Sequence, residues 1–230
     1  MISTILWDVD GTLLDFDYSQ ELALRQCFQS VGLHMTRQML ERYSQINDTY
    51  WKRLERGEVT KAELLVGRFT TLFEEFRLEG IDAEAFRAEY QDALGKIYAY
   101  IDDSPSVLEA LQQKSIHQYV ITNGVTATQK SKLKLSGLER FMDALFISEQ
   151  IGTPKPGREF FEVVLDGITE KDRSKILVVG DSLTSDIKGG VQVGLKTCWY
   201  RKAGTVNTTE LQPDYEISDL KEIFTIVNEG

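Results

Sequence analysis

Cysteine is scarce in this chain. Its two thiols, Cys27 and Cys198, lie too far apart to suggest a disulfide framework or a thiolate metal site, which favours a reducing cytoplasm as the setting. Histidine is equally scarce, with His34 and His117 alone. No apolar run approaches the ~18 residues that a membrane-spanning helix needs. The first residues have no basic stretch leading into a long apolar segment, so a secretory signal is not expected. An excess of positive charge is missing as well: 36 acidic residues against 26 basic ones leave a formal net charge of −10 at pH 7. That balance disfavours nucleic-acid polymers, whose binding needs a basic face to displace counterions. A small phosphate remains admissible where a metal ion or a lysine reverses the local field. Repeats and low-complexity tracts are absent.

What is present suffices for a packed core. Of 230 residues 42% are hydrophobic, and 11 Phe, 9 Tyr and 3 Trp supply bulky side chains, enough for one large domain or a core carrying a smaller one. Ile2–Asp8 reads as a buried strand. After Asp17 the apolar spacing turns helical and stays so to about Tyr100, in four patterns: Ala23 to Val31, Met39 to Leu54, Leu64 to Phe76, and Phe86 to Ile97. Gly32 and Gly57 stand as stops, and Thr60 with Glu63 forms a capping box ahead of the third. From Ser104 onward strands and helices alternate. The strands read "HQYVITNG", "ALFIS", "KILVVGDS", "KTCWY" and a short one near Tyr215; helices are expected around Ala127–Leu135, Glu159–Leu165 and Ser185–Val193. This rhythm predicts an α/β fold, a doubly wound, Rossmann-like parallel sheet covered on both faces. Residues 1–15 and 100–230 would form that core, and residues 16–99 an inserted all-helical cap.

In such a sheet, ligands bind outside the carboxyl ends of the strands. Four expected strands end in polar groups: Asp8 and Asp10, Thr122 and Asn123, Ser148, and Asp181; Lys155 stands between Pro154 and Pro156. Each piece has a bland reading alone. The run from Asp8 to Gly11 could be a turn, Thr122-Asn123 a strand end, Lys155 a solvated loop lysine, and the segment after Asp181 an N-capped helix. A calcium loop is excluded, because counting from Asp8 puts Leu13 sixth and Ser19 twelfth, where glycine and glutamate are required.

Together, Asp8-Val9-Asp10-Gly11-Thr12, Thr122-Asn123, Lys155 and the run from Gly180 through Asp181 to Asp186 resemble the haloacid-dehalogenase-like superfamily of phosphohydrolases. The resemblance implies that Asp8 is the nucleophile, forming an aspartyl-phosphate, and that Asp10 is general acid and then general base. A neighbouring carboxylate would favour the proton that Asp10 first needs. Mg²⁺ would be held by Asp8, the backbone carbonyl of Asp10 and Asp181, with Asp186 steadying the set. Thr122, the backbone N–H of Asn123, Gly124 and Lys155 would hold the phosphoryl oxygens.

Asp10 also argues for phosphoryl transfer over dehalogenation, since a halide leaves without a proton. The first cap turn carries no histidine, which argues against a phosphomutase; a Schiff-base lysine at Lys52 or Lys61 is the opening left for phosphonate cleavage. The cap stretch "YWKRLERGEVTKAELLVGRF" resembles the nucleotidase branch. Phe16, Tyr18, Tyr50 and Trp51 are candidate walls for a base, with Arg53 and Arg68 as polar contacts. Tyr18, expected in the linker entering the cap, and Arg53 are the favoured pair; helical spacing makes Trp51 and Phe69 better core residues. The expectation is a cytoplasmic Mg²⁺-dependent 5′-nucleotidase acting on a small phosphomonoester, monomeric or homodimeric, with cap closure excluding water.

Overall fold

The computed structural model describes residues 1–229. They fall into two compact units, Asp17–Ile97 and a second made of Met1–Phe16 with the chain from Tyr98 onward. Among the described residues no helix is long and apolar enough to cross a membrane.

The discontinuous unit contains β1 (Thr4–Trp7), and the other unit holds most of α1 (Phe16–Ser30) together with α2 (Arg37–Glu55), α3 (Lys61–Glu75) and α4 (Ala83–Leu94). The chain then runs through α5 (Ser104–Gln113), β2 (His117–Thr122), α6 (Thr126–Ser136), β3 (Ala144–Ile147), α7 (Ser148–Ile151), α8 (Arg158–Gly167), β4 (Ile176–Gly180), α9 (Lys188–Gln192), β5 (Lys196–Tyr200), β6 (Tyr215–Ile217) and α10 (Ile223–Glu229). The six strands form one sheet in the order β3-β2-β1-β4-β5-β6, and every pairing is parallel. β1 sits centrally, with Trp7 beside Val120 of β2 on one side and Val179 of β4 on the other.

Strand alternation explains why both faces need covering. Ile5 and Trp7 of β1, with Leu177 and Val179 of β4, join Val107, Leu108, Leu111, Leu133 and Ile223 on one face. Leu6, Ile176 and Val178 point the other way, against Phe160, Phe161 and Val164 of α8. A doubly wound sheet is the result, as the alternating pattern predicts.

The helical unit is built on rings. Phe28, Phe69, Phe73 and Phe86 pack edge-on or tilted at centroid separations of 5.1–6.3 Å, and Tyr43 stacks on Phe69 at 5.3 Å. The Thr60–Glu63 capping box is formed: Glu63 N–H donates to Thr60 Oγ1 at 3.2 Å, and Thr60 N–H to Glu63 Oε2 at 2.7 Å.

Two local expectations change. α1 already begins at Phe16, so Tyr18 lies in a helix and not in a linker. The helix expected over Ser185–Val193 is present as α9 from Lys188 to Gln192, and its first three expected residues belong to a wide turn, Leu183–Ile187, that leads into it. The carbonyl of Ser182 accepts from both Asp186 and Ile187, at 3.0 and 3.2 Å, and the second bond spans five residues instead of four, which widens the turn.

Candidate active site

β1 delivers Asp8 just past its last residue, where Asp8 N–H still donates to Val179 of β4 at 2.9 Å. β4 delivers Asp181, whose carbonyl accepts from Trp199 Nε1 at 2.9 Å, and the wide turn folds Asp186 inward until it is 1% exposed. One oxygen from each of the three carboxylates lies within 4.8 Å of the others. The chain bends away at Gly11, whose φ of +93° suits glycine; a Cβ there would collide with the Asp181 carboxylate.

A single ammonium serves these acids. Lys155 is 2% exposed, and its Nζ donates to Asp186 Oδ1 at 2.6 Å, Asp8 Oδ1 at 2.8 Å and the carbonyl of Ile121 at 2.8 Å. Burial alone would lower its pKa, but Asp186 and Asp8 outweigh that and hold it above the ordinary lysine value. Asp8 is pushed up to about 7, mainly by burial, then by Asp186 and Asp10 against the opposing pull of Lys155. Asp181 is solvent-exposed by area although protein atoms crowd its carboxyl; that crowding, then the charges of Asp8 and Asp186, raises it well above the carboxylate range. One ammonium against three carboxylates leaves a negative pocket of hard oxygen donors, a set that fits a divalent cation such as magnesium.

The Asp10 side chain takes no part in that cluster. Its Oδ2 accepts from Gln129 Nε2 at 2.5 Å and its Oδ1 from Lys132 Nζ at 2.6 Å. Both oxygens of Asp10 act as acceptors, and the carboxyl groups that burial and neighbouring charge raise are Asp8 and Asp181. Gln129 and Lys132 are absent from the sequence reading. The signal for them is slight, since α6 buries Thr128, Gln129, Lys132 and Ser136 with Leu133 and so has no clean apolar stripe.

At the end of β2, Thr122 is buried and its Oγ1 accepts from Gly124 N–H at 3.0 Å. Asn123 does more than offer its backbone: its amide donates to the carbonyl of Lys155 at 2.9 Å and accepts from Lys155 N–H at 2.8 Å, pinning the lysine's loop to β2. Ser148, also buried, opens α7 after β3.

Residues 2–194 match the haloacid dehalogenase-like hydrolase family. The chain belongs to that family. Among its relatives, the HAD-hydrolase YfnB of Bacillus subtilis is 38% identical over 225 residues, covering 98% of this chain and 95% of that one. A YfnB crystal structure bound to magnesium, which shows interdomain movement, superposes with a TM-score of 0.93 at 37% identity and covers 99% of both chains. Pyrimidine 5′-nucleotidase PynA of Streptococcus pneumoniae is 34% identical over 226 residues, covering 98% of this chain and 95% of its own. Pyrimidine 5′-nucleotidase YjjG of Escherichia coli is 32% identical over 220 residues, covering 95% of each.

The helical unit of this hydrolase separates the remaining candidates. Tyr18 is 48% exposed on α1. Arg53 is partly exposed, stands over the Tyr50 ring at 5.2 Å and approaches Glu58 at 3.8 Å. Arg68 is 2% exposed: it donates to Asn47 Oδ1 at 2.7 Å and lies over Phe69 and Tyr90 at 5.1 and 5.2 Å. It is an interior residue of the helical unit and not an open polar contact. Phe69 is fully buried, as its helical spacing suggests, whereas Tyr50 and Trp51 are half-buried.

Proposed function

We propose that this hydrolase is a Mg²⁺-dependent phosphomonoesterase, a 5′-nucleotidase acting on nucleoside monophosphates with a preference for pyrimidines. The observation that carries the reading is the buried Asp8 carboxylate, bonded to Lys155 at 2.8 Å and gathered with Asp181 and Asp186 at the carboxyl ends of the central strands. The two nucleotidase relatives, similar over nearly their whole lengths, support the substrate class.

Asp8, Asp181 and Asp186, with the carbonyl of Asp10, would hold Mg²⁺, which would supply charge neutralisation at the phosphoryl oxygens. The Asp8 carboxylate attacks phosphorus, the bond to the ester oxygen breaks, and Asp10 gives the departing alkoxide its proton. Water then attacks the aspartyl-phosphate and passes a proton to Asp10; the bond from phosphorus to Asp8 breaks, releasing phosphate and restoring both carboxyl groups. Thr122, Asn123, Gly124 and Lys155 would hold the phosphoryl oxygens. Tyr18 and Arg53 stay in the proposal as substrate contacts because their side chains are open; Arg68 does not.

A panel of phosphomonoesters assayed with Mg²⁺ and with EDTA tests the reading. Metal-dependent hydrolysis with the highest kcat/KM on pyrimidine nucleoside monophosphates is expected. Preference for phosphoglycolate or a sugar phosphate over every nucleotide would remove the nucleotidase assignment.

A further inference from the structure

We infer that Gln129 and Lys132 are positioning residues for the second half-reaction, a clamp that aims the Asp10 carboxylate at the water attacking the aspartyl-phosphate. The inference rests on the phosphatase reading above. Gln129 and Lys132 stand three residues apart on α6, so both project from one face of the helix toward the loop after β1. Each takes one oxygen of the same carboxylate, at 2.5 and 2.6 Å. With both oxygens held, the carboxylate plane has lost its freedom to rotate.

Structural reasons alone account poorly for these side chains. Lys132 is 0% exposed, and a buried ammonium is costly unless paired, yet its carboxylate partner is the one acid proposed to move protons. The Phe16 ring, 5.8 Å from Nζ, fills out its seat. Gln129 is 1% exposed, and its own carbonyl oxygen is buried with no protein partner, so the amide is committed to donating to Asp10. The neighbouring backbone makes room for it: a Cβ on Gly124 would come within 2.6 Å of Gln129 Cγ. Gly124, selected from sequence as a phosphate contact, thus has a second use in letting Gln129 cross the end of β2.

Once Asp10 has given its proton to the leaving group, the two bonds hold its carboxylate in place to take the next proton from water. A carboxylate displaced by about 1 Å loses on the order of 10²-fold in rate. The loss should appear in breakdown of the phosphoenzyme. With p-nitrophenyl phosphate the first step survives, because that phenolate departs without a proton.

The experiment is rapid-quench hydrolysis of p-nitrophenyl phosphate by the full-length Mg²⁺-loaded enzyme, comparing wild type, Asp10→Asn, Lys132→Met and Gln129→Met. Each clamp variant should lower kcat by about 10–100-fold and release a burst of one p-nitrophenolate per site before the slow steady state. Gln129→Met, a near-isosteric neutral change, carries the same prediction if Lys132→Met fails to fold. A burst in Asp10→Asn with none in a folded clamp variant, or clamp variants as fast as wild type, overturns the inference. Absence of hydrolysis by wild type, or of a burst in Asp10→Asn, strikes instead at the phosphatase reading or the role of Asp10.

Discussion

Lys155 in the sheet unit and Arg68 in the helical unit are each 2% exposed, yet they are accommodated in opposite ways. Lys155 is bonded to two carboxylates, Asp8 and Asp186. Arg68 meets neutral groups: the Asn47 amide, the carbonyl of Leu65 at 3.4 Å, and the rings of Tyr43, Phe69 and Tyr90. A carboxylate pair solvates a cation strongly but leaves two repelling acids if the cation goes. Ring faces and an amide solvate it more weakly and leave nothing charged behind. The sheet unit therefore concentrates charge where the chain changes direction, and the helical unit spends its one buried charge on packing.

The largest test of that contrast is Asp8→Asn. It should reduce phosphatase turnover to background while the helical unit stays folded; measurable turnover would mean that the chemistry does not run through the sheet unit's carboxylates. Next is the matched pair Lys155→Met and Arg68→Met, followed by chemical denaturation. Removing Lys155 should destabilise by about 3–5 kcal/mol, because Asp8 and Asp186 are left buried and uncompensated. Removing Arg68 should change stability by less than about 2 kcal/mol, the scale of a desolvated cation–π contact. Equal losses would erase the distinction.

A smaller effect concerns pH. Burial raises the folded pKa of Asp8 to about 7, above the ordinary carboxylate range, so the folded state binds this proton more tightly than the unfolded chain. By linkage, its contribution favours folding below that range and is lost as pH rises through about 7. A divalent cation bound to ionised Asp8 offsets that loss. The Mg²⁺-induced rise in Tm should therefore be larger at pH 8 than at pH 5.5; a rise independent of pH would show that Asp8 is not a ligand.

Some of this was legible in the residues. The alternation after Ser104 and the buried run before Asp8 dictate a parallel sheet, since continuous apolar strands need cover on both faces. Strand ends carrying Asp8, Thr122, Ser148 and Asp181 had to gather at one edge, whatever the strand order. Arg68 was misread because helical spacing says which residues share a face but not which side chain goes under the rings. Asn123 was read for its backbone alone, as its bonding to the Lys155 loop joins positions 32 apart.

Local sequence thus determined the elements, the helix caps and the acids at the strand ends, because these follow from spacing and from backbone chemistry within a few residues. Tertiary structure alone decided that Lys155 reaches Asp8 across 147 positions, that Trp199 holds the carbonyl of Asp181, and that Asp10 turns to Gln129 and Lys132, more than a hundred residues away. Those pairings arise when the sheet closes and polar groups, stripped of water together, must satisfy one another.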